Sequence, residues 1–214
     1  MSSSNAAESA TPAEQPGSVG AARPAKPGAR STDDAILDAA ADLIVHLGVR
    51  RTQLAEIARR AGVSRPTVYR RWPDVRAVIG ALLTREILAT LEGTALDVED
   101  RTTLVERVVE VAVRLRDHPV LGALLRSDDS DLLLEYVVER LGASQRGLLE
   151  ALRSGIEHGQ AHGSIRAGEP LELAAMVLLI AQSTVQSHRM VASLLPEAAW
   201  RRELARALNG YLAP

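Results

Sequence analysis

The stretch TQLAEIARRAGVSRPTVYRRW, Thr52 to Trp72, decides the fold. Its first half places Leu54, Ile57, Ala58 and Ala61 at steps of three and four, the period of an amphipathic helix. Gly62 breaks that helix where a tight turn needs positive φ. Val63 then points inward, and Ser64 can cap a second, short helix reaching Trp72. Pro66 falls in the first turn of that helix, where its missing N–H costs little. Ala58 is small where the two helices must cross, and Val63 and Val68 fill the angle between them. This is the spacing of a helix-turn-helix, whose second helix enters the major groove of DNA.

Charge agrees with that reading. From Arg50 to Arg76 there are eight arginines against two acids, Glu56 and Asp74, a surplus of six in a chain of net charge −2. A basic block on an acidic body suits docking onto a polyanion while the body stays clear of it. From charge alone, a solvated helix face is an equal reading. The capping and the Ala–Gly–Val spacing favour the groove-reading helix.

Working outward, Ile36, Leu37, Ala40, Leu43, Ile44 and Leu47 predict a preceding helix from Asp33, capped by Thr32 or Ser31 and stopped by Gly48. Thr52 is the expected cap of the next helix, roughly 53–61. Asp74 is expected to cap a fourth helix, about Val75 to Leu91. Further helices are expected near 102–117, 119–126, 131–141, 143–158, 170–191 and 196–212, and no period-two strand pattern occurs. Residues 1–30 are rich in Ser, Ala, Pro and Gly and read as a flexible tail. The class is all-α. The expected division is tail 1–30, DNA-binding domain 31–76 and a larger helical domain 77–214.

TQLAEIARRAGVSRPTVYRRWPDVRAVIGALL, with AILDAAADLIVHLGVRRTQ before it, resembles the N-terminal domain of TetR-type transcriptional regulators. The resemblance covers about residues 33–83. It implies a three-helix DNA-binding domain, a helical effector-binding domain and a homodimer formed through the last two helices. Most such proteins are repressors released by a small molecule. It also implies that Thr52, Gln53, Arg65, Thr67, Tyr69, Arg70 and Arg71 face double-stranded DNA at a pseudo-palindromic operator, and that Trp72 plugs the gap between reading head and fourth helix. The chain departs from the family pattern at Gln53, Pro66 and Val75, where Thr, Gly and Lys are common.

The segment 170–191 is apolar nearly all round between Leu173 and Ala181, so it is expected to pack inward on one side and against a second subunit on the other. Trp200, Leu204, Ala207, Leu208 and Tyr211 form a stripe suited to a partner helix, with a purely intramolecular core as the other reading. The absence of Phe predicts an aliphatic effector pocket, with Tyr136, Met176 and Gln182 as candidate lining residues. His158 and His162 have the spacing of a metal pair but lack a third ligand, so they read as structural, and no metal or cofactor is expected. The chain has no Cys, no catalytic triad order and no phosphate-binding glycine loop, so an enzyme is not expected. There is no signal-peptide pattern, and the apolar run Ala174–Ala181 is far short of the ~20 residues of a membrane span, which predicts a cytoplasmic protein. A constitutive or architectural DNA-binding protein without an effector is the alternative, which a body of this size disfavours.

Overall fold

The computed structural model describes residues 31–92, 100–126 and 143–214, and the described residues are helical without strands. The expected tail, the helix at 131–141 and Tyr136 lie outside them. Helix α1 spans Thr32–Leu47. Ser31 caps it: its hydroxyl accepts from the Asp34 N–H at 3.0 Å, and the Asp34 carboxylate accepts from the Ser31 N–H at 3.3 Å. Such reciprocal bonds satisfy donors that a helix start leaves unpaired. Gly48, at φ 80°, ends the helix and leads into a 3-10 turn, Val49–Arg51.

Helices α2 (Leu54–Arg60) and α3 (Arg65–Arg71) follow. Their joint is a Schellman turn: Val63 N–H donates to the Ala58 carbonyl at 3.0 Å and Gly62 N–H to that of Arg59 at 3.3 Å. Gly62 sits at φ 68°, as the sequence expects. Thr52 does not cap α2. Its hydroxyl turns back and donates to the Gly48 carbonyl at 2.9 Å, which leaves Gln53 at the cap position without a side-chain bond. Ser64 does cap α3, accepting from the Thr67 N–H at 3.3 Å.

Helix α4 (Val75–Glu92) starts on Asp74, whose carboxylate accepts from the Ala77 N–H at 2.8 Å. Ile36, Ile44, Ile57, Val68, Val78 and Leu82 are completely buried together, with Trp72 and Val63 partly buried against them. Truncating one of these isoleucines to alanine costs about 2–5 kcal/mol. Val120, Ala123 and Leu124 of α6 (Pro119–Arg126) belong to the same core. Helix α6 therefore seals the head from below.

The body is built from α5 (Arg101–Asp117), α7 (Ala143–Ala161), α8 (Pro170–Val191) and α9 (Glu197–Leu212). Leu104, Ile156, Ala174, Val177, Leu208 and Leu212 anchor its core. The stripe on α9 is used differently from the sequence expectation. Trp200, Leu204 and Leu208 are buried within the single chain, against α5 and α8, while Ala207 is exposed. Tyr211 lies under the Arg166 guanidinium at 4.8 Å, and Arg166 Nε donates to the Tyr211 carbonyl at 2.8 Å. Gly159 lies inside α7, and Ile165 packs where a side chain at that position would be. His162 Nδ1 lies 2.9 Å from the His158 carbonyl, with the two rings 4.3 Å apart. Among the described residues no helix is long and apolar enough to cross a membrane.

Candidate nucleic-acid interface and effector cavity

The basic block divides by partner. Arg59 pairs with Glu56 at 2.6 Å, Arg60 with Asp42, and Arg71 with Asp33 of α1 at 2.7 Å. Arg51, Arg65 and Arg70 have no ion-pair or hydrogen-bond partner among the described residues, and all three are exposed. An unpaired guanidinium on a convex helix face is free to bond a phosphate or a guanine edge. Tyr69 is 53% exposed beside Arg70, although large aromatic rings are usually mostly buried. Gln53 is exposed at the start of α2.

Three of the residues expected to face DNA are already bonded within the chain. Thr52 is buried and its hydroxyl is already bonded, so it shapes the turn before α2 rather than presenting a donor outward. Thr67 is half-buried, its hydroxyl 2.7 Å from that of Ser64. Arg71 is held sideways by Asp33. Arg51 was not among the expected contacts. Its signal is its place in the basic block immediately before Thr52 and Gln53. What singles it out is that no acid faces it, and this is a property of the folded chain.

Helices α4, α5, α6, α7 and α8 line a cavity of about 140 Å³. Its wall is aliphatic: Leu83, Ile87 and Leu91 from α4, Val108 and Ala112 from α5, and Leu121 and Leu124 from α6 are representative. Among the described residues no aromatic side chain lines it. The polar groups among its described wall residues are Arg107, Gln145, Gln182 and Gln186. Gln145 Nε2 donates to Gln182 Oε1 at 3.4 Å. Met176 does not line the cavity. It lies on the opposite, outward face of α8 with Leu179, because six residues along a helix turn a side chain well away from its starting direction.

The cavity shares Leu125 and Val185 with a polar chamber of about 330 Å³ that includes Arg116, Asp117, His188, Arg189 and Glu197. There Arg116 bonds Asp117 at 2.8 Å and Glu197 at 3.2 Å, and lies 5.1 Å from the centre of the Trp200 ring. The hydrogen bond from Arg116 holds the Asp117 carboxyl below the usual range. This cluster fastens the end of α5 to the start of α9.

Residues 36–82, which hold α2, α3 and the start of α4, match the family described as bacterial regulatory proteins, tetR family. The chain is also 51% identical over 181 residues to the uncharacterized HTH-type transcriptional regulator Mb2274c of Mycobacterium bovis, covering 85% of this chain and 94% of that protein. The chain belongs to the TetR family. The fold of this TetR-family regulator is shared with solved structures of low identity. The fatty acid degradation regulator FadR from Bacillus halodurans superposes with a TM-score of 0.62 at 19% identity, covering 85% of this chain and 96% of that one. RolR complexed with resorcinol superposes with a TM-score of 0.61 at 14% identity, covering 85% and 87%. FadR from Bacillus subtilis in complex with stearoyl-CoA gives 0.59 at 20% identity, covering 83% and 98%.

Proposed function

We propose that this transcriptional regulator is a homodimeric repressor that grips a pseudo-palindromic operator and releases it when a small molecule fills the aliphatic cavity. One observation carries the release step. Leu83, Leu121 and Leu124 belong at once to the packed core beneath the reading head and to the cavity wall. Packed interiors transmit displacement because they have few voids to absorb it. A ligand that presses these three leucines outward displaces α4 and α6, and with them the platform on which α2 and α3 sit. The solved neighbours that hold resorcinol and stearoyl-CoA support a ligand-binding reading of this fold.

The DNA-facing set is Arg51, Gln53, Arg65, Tyr69 and Arg70, with Thr67 at its margin. Thr52 and Arg71 act as positioning residues. The domain roles follow: residues 31–76 read DNA and 77–214 bind the effector and dimerise. The dimer face is the outer side of α8 and the turn beyond it, where Met176, Leu179, Met190 and Leu194 are 44%, 60%, 83% and 81% exposed. Two heads on a two-fold axis then meet half-sites related by the same axis.

The test combines genome-wide mapping of bound sites with calorimetry. An effector found by its release of a mapped operator is titrated into the protein with and without that operator. Weakening DNA binding a hundredfold needs about 2.7 kcal/mol of coupling, and operator must weaken ligand binding by the same factor. Equal ligand affinities in the two titrations would replace induction with constitutive DNA binding.

A further inference from the structure

We propose that the cavity selects a singly charged aliphatic carboxylate of about six to eight carbons, bonded at its charged end by Arg107. This rests on reading the cavity as the effector site and adds the chemistry of what enters it.

Among the described residues Arg107 is the charged one on an otherwise aliphatic and amide wall. It is half-buried and has no ion-pair or hydrogen-bond partner among the described residues. Glu110, the acid one turn further along α5, is already bonded to Arg114 at 2.9 Å and to Arg201 at 3.2 Å. A guanidinium placed beside apolar surface without an acid is costly unless something supplies the acid. The polar chamber next door gives the contrast. There Arg116 is neutralised by Asp117 and Glu197 and covered by Trp200, so it has no need of an anion from outside.

The charge count selects a carboxylate. One guanidinium fork matches one carboxylate through two parallel N–H···O bonds. A phosphate monoester carries about −1.5 to −2 at neutral pH and would leave charge uncompensated, because the other polar groups among the described wall residues are neutral amides. An amide such as Gln186 on the wall can donate a hydrogen bond to a carboxylate but cannot replace the charge. Size selects the tail. A dry cavity of about 150 Å³ holds a benzene ring of six carbons, and this cavity is about 140 Å³. A six- to eight-carbon chain fills it while its head reaches Arg107.

The experiment is calorimetric titration of the full chain with octanoate, 1-octanol, octylammonium and octanoyl-CoA, repeated with Arg107→Gln and Arg107→Lys. Octanoate is expected to bind the native chain most tightly of the four. Arg107→Gln should weaken octanoate at least about tenfold, the range for a hydrogen bond to a charged group, while leaving 1-octanol unchanged. Arg107→Lys should restore part of the octanoate affinity. Octylammonium or octanoyl-CoA binding the native chain as tightly as octanoate would overturn the proposal, and these arms need no variant. Equal losses of octanoate and 1-octanol in Arg107→Gln would overturn it as well. Octanoate that binds but leaves operator in place refutes release and keeps the ligand chemistry. Release by 1-octanol without octanoate binding does the reverse.

Discussion

Arg70→Ala separates groove contact from fold. Arg70 is exposed on α3 and has no partner among the described residues, so its removal should change folding stability by no more than about 0.5 kcal/mol. An arginine on a guanine edge contributes about 1–3 kcal/mol, and a dimer presents two copies, so operator affinity should fall by about 2–6 kcal/mol. At tenfold for every ~1.4 kcal/mol, that is on the order of 30-fold to 10,000-fold. If Arg70 instead touches phosphate, the slope of log affinity against log salt should drop by about 1 per copy, with sequence preference retained. The assay is fluorescence anisotropy of labelled operator over a series of KCl concentrations, with a thermal melt to confirm folding. Arg71→Ala is the internal control. It breaks an exposed pair with Asp33, worth about 0–1 kcal/mol, and should cost less operator affinity than Arg70→Ala. Arg70→Ala binding operator with unchanged affinity and salt slope, or Arg71→Ala costing more, would refute the assignment of the reading face.

Gly62→Ala places a Cβ in open space but forces a non-glycine residue to φ 68°. The expected cost of about 1–2 kcal/mol lowers the melting temperature by roughly 2–8 °C in a chain of this size, and an unchanged melt would show that the turn relaxes. Leu179→Asp combined with Met190→Asp charges the outer face of α8 and should yield a monomer by sedimentation velocity. A persistent dimer would move the interface elsewhere. Asp117 is held ionised by Arg116, so its folded pKa lies below its unfolded value near 3.9. Its stabilisation is present above the unfolded value and is lost as pH falls through the folded one. Asp117→Asn should therefore flatten urea-measured stability below about pH 4 relative to the native chain, and parallel curves would discount the pair.

Much of the head was legible from local signals. Capping bonds, glycine turns and helix period act over a few residues, so the bounds of α3 and the positive φ of Gly62 follow from Thr52–Trp72 read alone. Pro119–Arg126 and Pro170–Val191 were readable for the same reason, each opening on a proline. What a side chain meets across the fold was not legible. Nothing near Thr52 in sequence says that its hydroxyl returns to the Gly48 carbonyl and closes the turn, and nothing near Arg71 announces Asp33, 38 positions away. The stripe from Trp200 to Leu208 has the same period whether it faces a partner or its own chain, and α5 and α8 decide for the latter. Period also could not separate Met176 from Gln182, because both lie on one apolar helix and only the packing of α4 to α7 sets which face is inward. Arg107 is one arginine among many until five helices set an aliphatic wall beside it and, among the described residues, no acid against it. Local free-energy preferences fix elements and their ends, and only the assembled core decides which charges are matched and which are left for a ligand.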